Sequence, residues 1–259
     1  MIGLTILCLC FGLGQAPCLR QAHAHNDYLH SRPLFEALER GFTSIEADVF
    51  SVGDKLLVAH TPLELAGAKT LQELYLQPLQ EMARKRQGKI VSDGQPLWLL
   101  IDIKNNSEKT WSLVAAEINK RPELFCRWEN GKRVEGPVWV VVSGSVPRES
   151  ILKAEPRLAS VDGRLADLGT GADADAIPWI SDSWSGKFNW RGQGPLPAAD
   201  QQKMKDLAGK AQAEGRQLRF WGVPDNEAGW KAQRDAGVHR IGSDKLKAVS
   251  YTHLRAHET

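Results

Sequence analysis

Residues 97–104 read LWLLIDIK, five apolar side chains in a row followed by an acid and a lysine with one isoleucine between them. A run of this kind suits a strand buried on both faces, as in parallel sheets covered by helices. The same pattern recurs on either side. SIEADVF (44–50) and VWVVVSG (138–144) flank it, and QAHAH (21–25), RLASVDG (157–163), IPWISDSW (177–184), QLRFWGV (217–223) and VHRIGSD (238–244) bring the candidate strands to eight. Helical patterns lie between most of them: RPLFEALERG (32–41), LQELYLQPLQEMARKR (71–86), TWSLVAAEINKR (110–121), RESILKAE (148–155), QQKMKDLAGKAQAEG (201–215) and EAGWKAQRDAG (227–237). Gly41, Gly215 and Gly237 stand where such helices would stop. This alternation predicts an α/β fold, a (β/α)8 TIM barrel. An open doubly wound sheet is the alternative, but no glycine-rich phosphate loop follows any strand.

The composition agrees with one folded domain: 259 residues, 42% hydrophobic and 25% charged. Lys+Arg 33 against Asp+Glu 31 leaves a net charge of only +2, which excludes the broad basic field used in non-specific nucleic-acid binding. Of the 4 cysteines, Cys8, Cys10 and Cys18 crowd the first residues and Cys126 is alone, so neither a disulfide framework nor a cysteine zinc site can be built. MIGLTILCLCFGLGQA (1–16) is uncharged, apolar and ends in small residues, the pattern of a signal peptide cleaved after Ala16. That predicts a secreted or periplasmic protein; a buried first strand or helix is the alternative. AVSYTHLRAHET (248–259) resembles the translation of a sequencing-library adapter. Residues 249–259 are therefore read as a non-native tail, and His253 and His257 are not counted as ligands. The barrel then spans 17–248 and is expected to lack its last helix.

In such a barrel the chemistry sits at the C-terminal ends of the strands. Residues i and i+2 of a strand share a face, so Glu46 and Asp48 point the same way, as do Asp102 and Lys104. Three carboxylates converging on one mouth would repel one another, and a bound divalent cation removes that cost. With oxygen donors only, Mg2+ or Ca2+ is favoured over zinc. Asp162, Asp182 and Asp225 are further strand-end acids that offer a fourth ligand. His23 shares a strand face with His25; His30 and His239 read as structural. Trp184 and Trp190 flank a glycine-rich loop and are candidates for an apolar rim.

HAHNDY (23–28), SIEADVF (44–50), LLVAH (56–60), LLIDIK (99–104) and RFWGVPD (219–225), in this order and spacing, resemble the glycerophosphodiester phosphodiesterase-like superfamily. The resemblance is nearest to the branch holding the fungal altered-inheritance-of-mitochondria proteins and, more distantly, spider sphingomyelinase D. It implies a barrel in which Glu46, Asp48 and Asp102 hold the metal and His25 and His60 form the acid/base pair. Lys104 would then sit against the phosphate and Trp221 would wall the pocket. Asn26 stands where typical members have arginine, and Asp102 where many have glutamate. The segment Thr61–Pro96 leaves no room for the insertion domain of glycerol-specific members. The implied function is a metal-dependent phosphoric diester hydrolase acting on a glycerophosphodiester or (lyso)phospholipid-like substrate. Transient contact with a membrane surface is implied; a nucleic-acid or protein partner is not. The alternative is a noncatalytic metal- or ligand-binding barrel of the same fold.

Overall fold

A computed structural model describes residues 16–255 of the chain. Most of the leader read at 1–16 and the last residues of the tail, 256–259, lie outside the described residues. The strands are β1 (Leu19–Ala24), β2 (Phe42–Val52), β3 (Lys55–Val58), β4 (Leu97–Ile103), β5 (Arg127–Glu129), β6 (Lys132–Val134), β7 (Val138–Gly144), β8 (Ser160–Gly163), β9 (Trp179–Ser183), β10 (Gln217–Trp221) and β11 (Arg240–Ser243). Eight of them, β1, β2, β4, β7, β8, β9, β10 and β11, pair in parallel, and β1 closes the ring by bonding both β2 and β11. The expected (β/α)8 barrel is thus observed. β3 folds back antiparallel on β2.

The helices are α1 (Phe35–Glu39), α2 (Gln77–Lys85), α3 (Ser107–Asn119), α4 (Arg148–Leu152), α5 (Ala198–Ala213), α6 (Glu227–Asp235) and α7 (Leu246–Arg255). The glycines read as stops, Gly41, Gly215 and Gly237, adopt φ of 85°, 70° and 78°. These are left-handed values that cost glycine little. The long helix expected over 71–86 is split into a π-helical turn, Gln72–Leu76, and α2. The join lies at Pro78, whose nitrogen has no proton for the helical ladder. The barrel expected to lack its last helix has one: α7 follows β11 and buries Leu246 and Val249 in the core. The β5–β6 hairpin, turning at Asn130-Gly131, was not expected.

Strand alternation divides the core. Leu97, Leu99, Ile101 and Ile103 of β4 join the layer between barrel and helices, while Trp98 and Leu100 turn inward with Trp139, Val141 and Trp179. Stacked indoles, Trp98 on Trp139 at 4.4 Å between ring centroids, thus fill the N-terminal half of the barrel. The acids gather in the C-terminal half, where the strands end.

Candidate active site

Local strand geometry builds the acidic cluster. In the parallel pairing of β2 with β4, Glu46 lies beside Leu100 and Asp48 beside Asp102, so the i, i+2 pair and its neighbour share one inward face. One carboxylate oxygen from each of Glu46, Asp48 and Asp102 falls within 4.8 Å of the others. Among the described residues no other acid joins this group. Asp162 is instead occupied by Ser143 at 2.8 Å and Ser181 at 2.5 Å, Asp182 pairs with Lys187, and Asp225 accepts from the Trp230 indole. The fourth ligand sought among these strand-end acids is therefore not provided.

Close packing makes Gly144 a condition of this arrangement. It sits at φ 73°, and a Cβ there would lie 2.2 Å from Asp102 Oδ1 and 2.5 Å from the Ile103 carbonyl. Gly144→Ala is expected to displace the Asp102 carboxylate and destabilise the fold by about 1–3 kcal/mol. Denaturant melts, and calorimetric titration with a divalent cation, would read the two effects separately.

Each acid is held differently. Glu46 Oε2 accepts from Arg219 Nη2 and His23 Nε2, both at 3.1 Å. Burial opposes its charge, yet Arg219 and His23 outweigh burial and hold the carboxyl far below the usual range. His23, fully buried, also meets Ser44 Oγ at 2.7 Å. Burial first, then Arg219, drive its pKa down to about 4, so it stays neutral. Asp48 Oδ2 takes Lys104 Nζ at 2.8 Å and the Tyr28 hydroxyl at 2.8 Å, while its Oδ1 is buried with no partner. Burial and the Glu46 charge raise the Asp48 pKa, and burial pushes Asp102 up to about 6. Lys104 spans the two aspartates, 3.2 Å from Asp102 Oδ1. Burial works against its charge, but Asp102 and Asp48 prevail and raise its pKa.

The buried, partnerless Asp48 Oδ1, beside the ionised Glu46 and an Asp102 whose pKa is raised, fits a divalent cation, which would supply the missing charge. Glu46, Asp48 and Asp102 are the residues that would hold it.

The histidines sit at the rim of the same cavity. The eight residues that the family resemblance singles out, His25, Asn26, Glu46, Asp48, His60, Asp102, Lys104 and Trp221, line one pocket of about 200 Å³. His25 Nδ1 lies 2.8 Å from Asp244 Oδ1, and His60 Nδ1 lies 3.3 Å from Asp48 Oδ2. Neither Nε2 has a protein partner among the described residues, so each ring is anchored through one nitrogen and free at the other. Asn26, in the left-handed region at φ 48°, and Tyr28 bridge the two anchors. The Tyr28 hydroxyl is 2.9 Å from Asn26 Oδ1 and 3.3 Å from His60 Nδ1.

Burial disfavours the charged form of His25, but the Asp244 hydrogen bond and the nearby Glu46 and Asp244 charges raise its pKa overall. A raised histidine pKa adds stability that is complete below the unfolded value of about 6.5 and is lost as pH rises through the folded value. Asp244→Asn is expected to bring the His25 pKa down, read by NMR titration of its ring protons.

Several pocket residues escaped the sequence reading. Arg219, Arg164, Ser143 and Gly144 line the cavity, with the Arg164 guanidinium 5.0 Å from the Trp221 ring centroid. Tyr28 was inside a quoted motif and Asp244 at a strand end, but nothing local marks either as a site residue. His239 accepts the Leu218 N–H at 3.1 Å, a structural role as expected. Trp184 and Trp190 do not form a rim: both are buried, Trp184 packs against Phe188 and Trp190, and its indole donates to the Trp190 carbonyl.

The family model for an AIM6-like phosphodiesterase domain matches residues 16–159. The altered inheritance of mitochondria protein 6 homolog of Arthroderma benhamiae is 30% identical over 88% of this chain and 82% of its own length. Altered inheritance of mitochondria protein 6 of Eremothecium gossypii is 29% identical over 90% and 69%. Among solved structures, a glycerophosphodiester phosphodiesterase from Parabacteroides distasonis superposes with a TM-score of 0.58 at 14% identity, covering 95% of this chain and 100% of that one. A second, from Agrobacterium tumefaciens, gives 0.51 at 13% identity, covering 89% and 97%. These two likenesses support the fold.

Proposed function

Because the chain belongs to the AIM6-like phosphodiesterase family, we propose that it is a metal-dependent phosphoric diester hydrolase whose substrate is a small glycerophosphodiester or lysophospholipid-like molecule. The leader read at 1–16 adds that it acts outside the cytoplasm, secreted or periplasmic. The observation that carries the catalytic reading is the pairing, in one pocket, of the three-carboxylate cluster with two histidines free at Nε2. A bound Mg2+ or Ca2+ would polarise the phosphoryl oxygens and offset their charge.

The chain's own residues supply the rest. Lys104 and Arg164 bring positive charge to a pocket that must accept an anionic phosphate. Asp244 holds the His25 ring through Nδ1, which leaves its Nε2 lone pair able to take a proton from an attacking hydroxyl. Asp48 and Tyr28 orient His60 in the same way, so its Nε2 can hand a proton to the leaving oxygen. Which histidine serves which side is fixed by how the diester lies across the pocket. Trp221, carrying Arg164 over its face, gives the pocket an apolar wall for the organic part of the substrate.

Between β3 and β4 there is one 3-10 turn, Pro62–Glu64, and one helical stretch. With only these short elements between the two strands, the pocket is open to a lipid-like chain rather than closed on glycerol alone. Hydrolysis of bis(p-nitrophenyl) phosphate, a glycerophosphodiester and a lysophospholipid is expected with Mg2+ or Ca2+, and complete loss on EDTA treatment. Metal-replete protein inert on that whole panel would overturn the reading.

A further inference from the structure

The opposite, N-terminal mouth of the barrel opens on a cavity of about 1000 Å³, against about 200 Å³ for the pocket holding the acids. Its floor includes Arg240, the first residue of β11, only 3% exposed. The Arg240 guanidinium donates Nε to Gln217 Oε1 at 2.6 Å and Nη1 to the Arg20 carbonyl at 2.8 Å. Nη1 also reaches Thr43 Oγ1 at 3.4 Å, and the guanidinium lies over the Trp98 and Trp179 rings, 5.2 and 5.4 Å from their centroids. Among the described residues no carboxylate reaches it, and its Nη2 has no hydrogen-bond partner. The neighbouring cations differ: Arg20 pairs with Asp93, and Arg133 with Glu135 and Asp175.

Other donors at this cavity are also unused. Trp98 is 9% exposed, and its Nε1–H finds no acceptor among the described residues. His239 uses Nδ1 as an acceptor, which puts its ring proton on Nε2. A buried guanidinium without a counter-charge is costly, and burial pulls the Arg240 pKa down to about 9, still charged at neutral pH. The surplus is therefore of donors and positive charge, answered among the described residues only by neutral oxygens and the Trp98 and Trp179 ring faces. An inorganic ion would answer the charge but fill little of the volume.

We propose that this N-terminal mouth is a second binding site, for an organic anion whose oxyanion head meets Arg240 and Trp98 Nε1 and whose apolar body lies along Trp98 and Trp139. The site is separate from the acidic pocket and does not depend on the hydrolytic reading. Calorimetric titration with 1-naphthoate, 1-naphthalenemethanol and inorganic phosphate tests it. One naphthoate is expected per chain, bound at least tenfold more tightly than either control. Arg240→Met should erase the preference for the acid over the alcohol. Arg133→Glu, on the less buried rim, should weaken naphthoate at least tenfold with an unchanged circular dichroism spectrum, so the test stands even if the Arg240 variant fails to fold. No binding to the wild type, equal affinity for acid and alcohol, phosphate binding as tight as naphthoate, or unchanged affinity in folded Arg133→Glu would each overturn the proposal.

Discussion

His60→Ala is expected to lower kcat on a phosphodiester by about 10²- to 10⁴-fold, the usual loss when a general acid or base is removed. The melting temperature should hardly move. His60 is half exposed, and its one ring anchor is the 3.3 Å approach to Asp48 and Tyr28, so little packing is lost with it. His25→Ala should fall in the same range, because its Nε2 is likewise free and its Nδ1 is held by Asp244. The two losses should not multiply: once one side of the proton transfer is missing, removing the other costs less than it does alone. Steady-state kinetics of the two single variants and the double variant would show this. A kcat unchanged in both single variants would place proton transfer elsewhere.

The largest stability effect is expected at Arg219. Its guanidinium is 4% exposed and lies 3.1 Å from Glu46 Oε2. Arg219→Met would leave the buried Glu46 carboxylate with only neutral His23 beside it, and breaking a buried pair from one side costs about 3–5 kcal/mol. In a chain of this length that is a drop in melting temperature on the order of 10 °C. Metal-free protein should show it most, since a cation at the acidic cluster would replace part of the lost charge. Adding Glu46→Gln to Arg219→Met should recover much of the stability and none of the activity. Thermal melts of the wild type, Arg219→Met, Glu46→Gln and the double variant, with and without EDTA, separate the electrostatic part from simple loss of packing.

The barrel was legible because its signal is repetitive: each buried strand is a short apolar run, and each run ends in polar residues. The acidic cluster was legible for a local reason, since Glu46 and Asp48 are two apart on one strand and Asp102 ends the strand expected beside it. Arg219 and Asp244 were not, because their partners Glu46 and His25 lie 173 and 219 residues away in sequence and only ring closure brings them together. Arg219 also looks like an ordinary residue at a strand's solvent side until the barrel turns it inward. The β5–β6 hairpin did carry a readable sign, Asn130-Gly131 between short runs, at φ of 51° and 72°. The alternation of long elements masked it. The expected missing helix failed for another reason: Leu246 and Val249 have the spacing to cover the barrel whatever the origin of the residues that follow.

The ring closure between β1 and β11 also orders events in time. The carboxylates of β2 and β4 come from one neighbouring pair of strands and can be assembled while the C-terminal third of the chain is still being made. Asp244 and Arg219 arrive last, and contacts over such sequence distances form slowly. Before they arrive, Glu46 has no arginine beside it, and the acidic cluster carries its greatest uncompensated negative charge. The acids thus come from one end of the chain and the groups that hold Glu46 and His25 from the other, so the pocket is complete only once the ring has closed.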